Sequence, residues 1–156
     1  MNNHSFINFR ANLESLLKYH KSYHELAQYL DIPNSTLKSW FNGTRCPSLK
    51  TIDKMANKVG CYSVDFIIEN SCIENKNIHS NFSHVLFVKN LNILFLKKHC
   101  FTIPHKLSLL DNVVTDYALQ SYLRKQNYKT PTLSKLDLIA DALDIPTYIL
   151  LSEETK

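Results

Sequence analysis

Pro47-Ser48-Leu49 returns as Pro131-Thr132-Leu133, 84 positions further along a chain of 156 residues. The same offset pairs Ile52 with Leu136, Asp53 with Asp137, Met55 with Ile139, Ala56 with Ala140 and Val59 with Leu143. With small insertions, Asn12-Leu13 pairs with Asn90-Leu91, and Leu37-Lys38-Ser39-Trp40 with Leu119-Gln120-Ser121-Tyr122. So many apolar positions in one order point to a duplicated unit. The polar stretch Ser71 to Asn81 reads as a linker, which sets a first domain at 1–70, a linker at 71–82 and a second domain at 83–156.

Each copy reads as about five short helices, making the fold class all-α. In the first, Phe6, Phe9, Leu13, Leu16 and Leu17 follow helical spacing and form one buried stripe. Ser22 has the chemistry of an N-cap, and Glu25 three residues later completes a capping box before Leu26-Ala27 and Leu30. Asp31-Ile32-Pro33 breaks that helix, since proline disfavours helical geometry in the residue before it. A short helix then runs from Pro33 or Asn34 to Phe41. A fourth starts at Pro47-Ser48, carries Leu49, Ile52, Met55 and Val59, and is closed by Gly60. The chain has only 2 Gly and 5 Pro, too few for many strands and tight turns. Both glycines, Gly43 and Gly60, fall just past a helix end, where positive φ is needed.

The net charge is +4, split evenly between the halves. That permits nucleic-acid binding without arguing for it. Cys46, Cys61, Cys72 and Cys100 include no Cys-x-x-Cys pair and read as free thiols. Met1-Asn2-Asn3-His4 lacks the basic and apolar regions of a signal peptide. The most apolar stretch, Val85 to Leu96, is interrupted by Lys89, Asn90 and Asn92 and does not span a membrane. A cytoplasmic location is expected. His20 and His24 are four apart, but a helix break at Ser22 separates them and no third ligand is near, so no metal and no cofactor is expected. No phosphate loop, nucleophile elbow or paired carboxylates appear, which argues against an enzyme.

Glu25-Leu26-Ala27, Leu30-Asp31-Ile32-Pro33, Ser35-Thr36-Leu37, Trp40-Phe41-Asn42-Gly43 and Pro47-Ser48-Leu49 together resemble the lambda-repressor-like, or XRE-type, helix-turn-helix family. Asp31 stands where that family usually has glycine, and Phe41 where an acidic residue is common. Aspartate tolerates left-handed geometry better than most residues. The resemblance implies two tandem five-helix domains of this fold and double-stranded DNA as the partner. It also implies the positions that touch DNA. Asn34, Ser35 and Ser39 take the base-reading places, with Lys38 on the same face. Tyr23, Thr36, Asn42, Thr44 and Arg45 take places near phosphates. The physical logic is that a helix enters the major groove only when a second helix, packed across it, braces it against the backbone.

The second copy matches less well. Its turn region, Leu107 to Thr115, needs an extra residue, and Pro104 falls in the first turn of its bracing helix, where proline is tolerated. Asp116, Tyr117 and Ala118 replace Asn34, Ser35 and Thr36. The loop from Arg124 to Lys129 gathers three cations and Tyr128. Tyr117, Ser121, Arg124, Lys125 and Lys129 are the candidate contacts there, and base reading, phosphate gripping and protein pairing stay open for this copy. The helix from His84 to Lys98 is apolar on two sides, Val88, Leu91 and Phe95 on one and Leu86 and Ile93 on the other. It is expected to pack between the domains or at a dimer interface.

These readings lead to a sequence-specific transcriptional regulator, most often a repressor in this family, of the kind found on plasmids, phages and other mobile elements. It would act as a monomer with two DNA-binding domains or as a homodimer. The alternative is a protein-interaction module of antitoxin or anti-repressor type, whose second domain holds a protein partner.

Overall fold

In a computed structural model of the protein, residues 3–153 are described; residues 1–2 and 154–156, the outer ends of the two expected domains, lie outside them. Among the described residues the secondary-structure elements are all helical. The helices are α1 (Ser5–Leu17), α2 (Tyr23–Leu30), α3 (Asn34–Phe41), α4 (Leu49–Val59), α5 (Ser83–Lys97), α6 (Ile103–Leu109), α7 (Asp116–Leu123), α8 (Leu133–Ala142) and α9 (Thr147–Leu150), with a 3-10 turn at Ser63–Phe66. The fifth element of the first half is thus a 3-10 turn where an α-helix is expected, and its counterpart α9 has four residues.

Hydroxyl side chains start five of the helices. Ser22, Ser48, Thr102, Thr115 and Thr132 each accept a backbone N–H from the residue three positions on. Each such cap stabilises its helix by about 1 kcal/mol. The box at Ser22 closes differently from expectation: Ser22 accepts from Glu25 N (3.2 Å), but the Glu25 carboxylate reaches Lys21 N (3.2 Å). In the second half the turn between α6 and α7 spans six residues, 110–115, against three, 31–33, in the first. It is longer than the single extra residue expected, and Asp111 and Asn112 both adopt left-handed backbone there (φ 51° and 54°).

Phe9, Leu13, Leu26, Leu30, Leu37, Trp40, Leu49, Ile52, Met55 and Phe66 fill the core of the first half. Phe87, Leu91, Leu110, Leu119, Tyr122, Leu133, Leu136, Ile139 and Leu150 do so in the second. The two sets join in one continuous cluster. The bracing helices differ. Leu26, Ala27 and Leu30 of α2 are buried, whereas α6 buries no residue fully.

The halves meet through hydrogen bonds made in both directions. Leu49 N donates to Pro131 O (2.9 Å) and Leu133 N to Pro47 O (3.0 Å), pairing the two loops that precede α4 and α8. The first turns of α1 and α5 have no side-chain cap of their own. Asp137 of α8 instead accepts from Ser5 N (2.9 Å), and Asp53 of α4 accepts from Ser83 N (3.1 Å). Each carboxylate also takes a hydroxyl from its own half, Thr147 (2.7 Å) for Asp137 and Ser63 (2.6 Å) for Asp53. Thr147 N donates to Asn3 Oδ1 as Ser63 N donates to Asn81 Oδ1, both at 2.9 Å. Within each half the pattern repeats again: Asn12 Nδ2 binds the carbonyls of Asp65, Phe66 and Ile68, and Asn90 Nδ2 those of Ile149, Leu150 and Ser152. Reciprocal bonding of like positions characterises an isologous contact, here within one chain.

Helix α5 packs against α4 of the first half and α9 of the second, with Phe87, Leu91 and Phe95 buried and Leu86, Val88 and Ile93 half-buried. The segment 71–82 contains no helix but does not hang free. Lys76 N and Ile78 N donate to Gly60 O (2.8 and 2.9 Å), and Lys76 Nζ pairs with Asp65 at 2.9 Å. This close approach demands the glycine. A Cβ at position 60 would lie 2.5 Å from Asn75 Oδ1 and 2.9 Å from His79 Cε1, on a backbone with φ +88°. Gly60→Ala is expected to cost about 1–2 kcal/mol from the left-handed backbone alone. Urea unfolding checks this, and an unchanged midpoint would contradict it.

Candidate nucleic-acid interface

The first candidate surface is α3, and α2 holds it in place. Asp31 takes the left-handed conformation (φ 56°) and its N–H closes onto the end of α2, so the chain reverses within three residues without glycine. Pro33 then caps α3 at φ −62°, and Leu37 N returns to Pro33 O (3.1 Å). Ala27, 2% exposed, is the small residue where α2 and α3 pack. Leu37 and Trp40 anchor the inner face, with Trp40 edge-on to Phe9 at 5.4 Å.

The outer face carries the candidate contacts. Ser35 and Lys38 are exposed, and Asn34, Thr36 and Ser39 are half-buried. Asn34 Oδ1 is buried without a hydrogen bond. Ser39 donates its hydroxyl proton to Thr36 O (2.6 Å), which leaves that oxygen only as an acceptor toward any ligand. Tyr23 is 42% exposed at the start of α2, its ring edge-on to Phe41 at 5.1 Å. The loop after α3 folds back on the helix end: Thr44 N, Thr44 Oγ1 and Arg45 N all donate to Ser39 O at 3.0–3.3 Å, with Gly43 at φ 73° allowing the reversal. Asn42, Thr44 and Arg45 are exposed on that loop. Ser35, Lys38, the loop and Tyr23 thus share one structural unit, α2–turn–α3–loop.

Arg10 was not among the sequence candidates. Its guanidinium donates to Phe41 O at the end of α3 and lies 5.8 Å over the Phe6 ring. A basic residue on α1 gives no local signal for this. The contact exists only because α1 packs beside the end of α3, and Arg10 acts by positioning that end.

The second half presents a different surface at α7. Ser121, the counterpart of Ser39, is 1% exposed and its hydroxyl is unbonded, so it offers nothing to a ligand at the surface. Asp116 accepts from the Gln120 amide. Tyr117 is 60% exposed, with the Arg124 guanidinium 5.9 Å and the Lys129 ammonium 5.1 Å from its ring centroid. Lys125 is exposed. Tyr128 of the same loop stacks flat on His84 of α5, at 4.1 Å and 5°.

His84 is buried beside Asp53, and burial pushes its pKa below the ordinary histidine value, outweighing the pull of Asp53 and of the nearby Tyr122 carbonyl toward the charged form. The folded state therefore favours neutral His84. Its contribution to stability is present above about pH 6.5, the unfolded value, and is lost as pH falls through the lower folded value. His84→Phe, which keeps the stacking, is expected to flatten the acid limb of stability below that pH. Thermal unfolding from pH 7.5 to 5 measures it, and parallel curves for the two proteins would contradict it. At Cys61 burial pushes the thiol up to about 12, so it is unreactive, while Cys72 is exposed.

Among the described residues, no three His, Cys, Asp or Glu side chains are grouped to hold a metal ion, and no helix is long and apolar enough to cross a membrane. Residues 14–67 match the Helix-turn-helix family model, from the middle of α1 past the 3-10 turn. The matched segment is similar to the helix-turn-helix units of the XRE kind, a family of DNA-binding regulators and not of enzymes. It supports a DNA-binding transcription regulator of that kind. The match does not extend to α5–α9, and no curated protein and no solved structure matches the chain significantly.

Proposed function

We propose that this chain is a sequence-specific repressor in which one polypeptide carries two helix-turn-helix domains, 1–70 and 83–156, and grips two neighbouring half-sites as a monomer. The observation that carries the reading is the reciprocal bonding of Pro47–Leu49 with Pro131–Leu133. Those residues end the loops that follow α3 and α7, so the two helices flank one local axis. Relatives of this fold that dimerise place their reading helices about one helical turn, ~34 Å, apart. Here the second set is covalently attached, and the first binding event raises the local concentration of the second.

In this reading Asn34, Ser35, Lys38 and Ser39 meet base edges, and Tyr23, Thr36, Asn42, Thr44 and Arg45 meet phosphates. Repression follows from occupying the operator. Control of an operon on a plasmid, phage or other mobile element, in the cytoplasm, follows the family resemblance. Selection of bound duplexes from a random pool tests the reading. An enriched motif supports it, and a pool that stays random overturns it.

A second reading, in which the protein serves mainly as a partner-binding module of antitoxin or anti-repressor type, draws on one feature. A cleft of about 570 Å³ runs between the end of the linker, α5 and residues 151–153, flanked by exposed Phe82 and Val85. Specific DNA binding unchanged by removal of residues 83–156 would favour it.

A further inference from the structure

Resting on the DNA reading above, we infer that the two halves divide the work: the first reads bases, and the second is a clamp on the phosphate backbone with no base selectivity of its own. The operator is then one defined half-site with a flank of arbitrary sequence, not a palindrome.

Three independent features of α7 and its surroundings carry this. Base readout needs donors and acceptors on the outer face of the helix, and those of α7 are fewer than on α3 and partly engaged with one another. Ser121 is buried, Ala118 has no polar side-chain atom, and one oxygen of the Asp116 carboxylate holds the Gln120 amide. Beside Asp116 and Gln120 the helix exposes Tyr117, with Arg124 and Lys129 over its ring. The segment 124–129 holds three cations and no acid, against Arg45 alone in the matching loop 42–46. The brace is also weaker. Helix α6 buries no residue fully, and Lys106, two residues after Pro104, lies over the Phe95 ring at 5.2 Å. The turn to α7 is twice as long as its counterpart.

These features act in one direction. Base-edge recognition needs side chains held to about half an ångström by packed neighbours. Attraction of a cation to phosphate varies slowly with distance and tolerates a looser helix. The aromatic ring keeps the two cations together and on one side of the helix, and Tyr128 stacked on His84 ties their loop to the body of the protein.

The test takes the full chain and a selected duplex, measuring affinity across a salt series while each base pair is changed in turn. Changes under α3 are expected to weaken binding tenfold or more, and changes in the other half-site less than about threefold. The Arg124→Ala, Lys129→Ala double variant is expected to weaken binding equally to duplexes that differ only in the second half-site. Its log–log salt slope should fall by about two, close to one for each phosphate contact removed. Circular dichroism checks that the variant is folded. Discrimination of tenfold or more in the second half-site, abolished by Tyr117→Ala, would overturn the division of labour and leave the DNA reading intact. An unchanged salt slope in the double variant would also overturn the clamp. Absence of base preference in both half-sites would instead defeat the reading of α3, and this inference with it.

Discussion

Asp137→Ala is expected to lower the stability of the protein by about 3 kcal/mol, since a hydrogen bond to a charged group contributes roughly 1.5–3 kcal/mol and two are lost. The side chain is 9% exposed and accepts from Ser5 N of α1 and the Thr147 hydroxyl of α9. Removing it leaves both donors buried without partners and takes a negative charge from the N-terminus of α1, where the helix dipole favours it. In a chain of this size the loss corresponds to a fall of roughly 6–12 °C in Tm. Asp137→Asn keeps one acceptor but turns a donor toward a donor, so it should fall between the two. Asp53→Ala, at the more exposed counterpart, should cost less. Thermal unfolding of the three variants settles the order. Equal, small shifts would mean that the reciprocal bonds contribute little to joining the halves.

The second large effect concerns DNA. Ser35→Ala is expected to weaken binding to the selected site by roughly 5- to 150-fold, or about 1–3 kcal/mol, while leaving random duplex nearly unchanged. The side chain sits exposed in the first turn of α3, where it meets base edges if the helix enters the groove. Ser39→Ala should act more weakly, because its hydroxyl proton is already committed to Thr36 O. Arg45→Ala should behave oppositely to Ser35→Ala. It weakens all sequences alike and lowers the salt slope by about one. Competition binding at two salt concentrations separates these cases, and equal losses on selected and random duplex for Ser35→Ala would refute the proposed register.

How far the sequence discloses this molecule depends on how local the governing interaction is. The helix bounds of the first half follow from the capping hydroxyls, Pro33 and Gly60, all of which act within one turn. The left-handed backbone at Asp31 is legible for the same reason. The offset of 84 also anticipates the bridge between Pro47–Leu49 and Pro131–Leu133 in one respect: it names the residues that turn out to pair, though not that they pair with each other. Contacts that depend on tertiary packing give no such sign. Asp53 and Asp137 stand as equivalent acids in the repeat, yet nothing local says that each caps a helix of the opposite half. Arg10 at the end of α3 and the burial of Ser121 are of the same kind, settled by which helix lies alongside. Within the linker, polar composition does not reveal that Lys76 and Asn81 bond back to the first half.

The central claim is that one chain lays α3 and α7 on the same duplex. Hydroxyl-radical footprinting of the full-length protein on a selected site, at a one-to-one ratio of chain to duplex, tests it most directly. Two protected segments on one face, about one helical turn of ~34 Å apart, are the predicted result. A single protected segment at that ratio, becoming two only with a second chain per duplex, would contradict it.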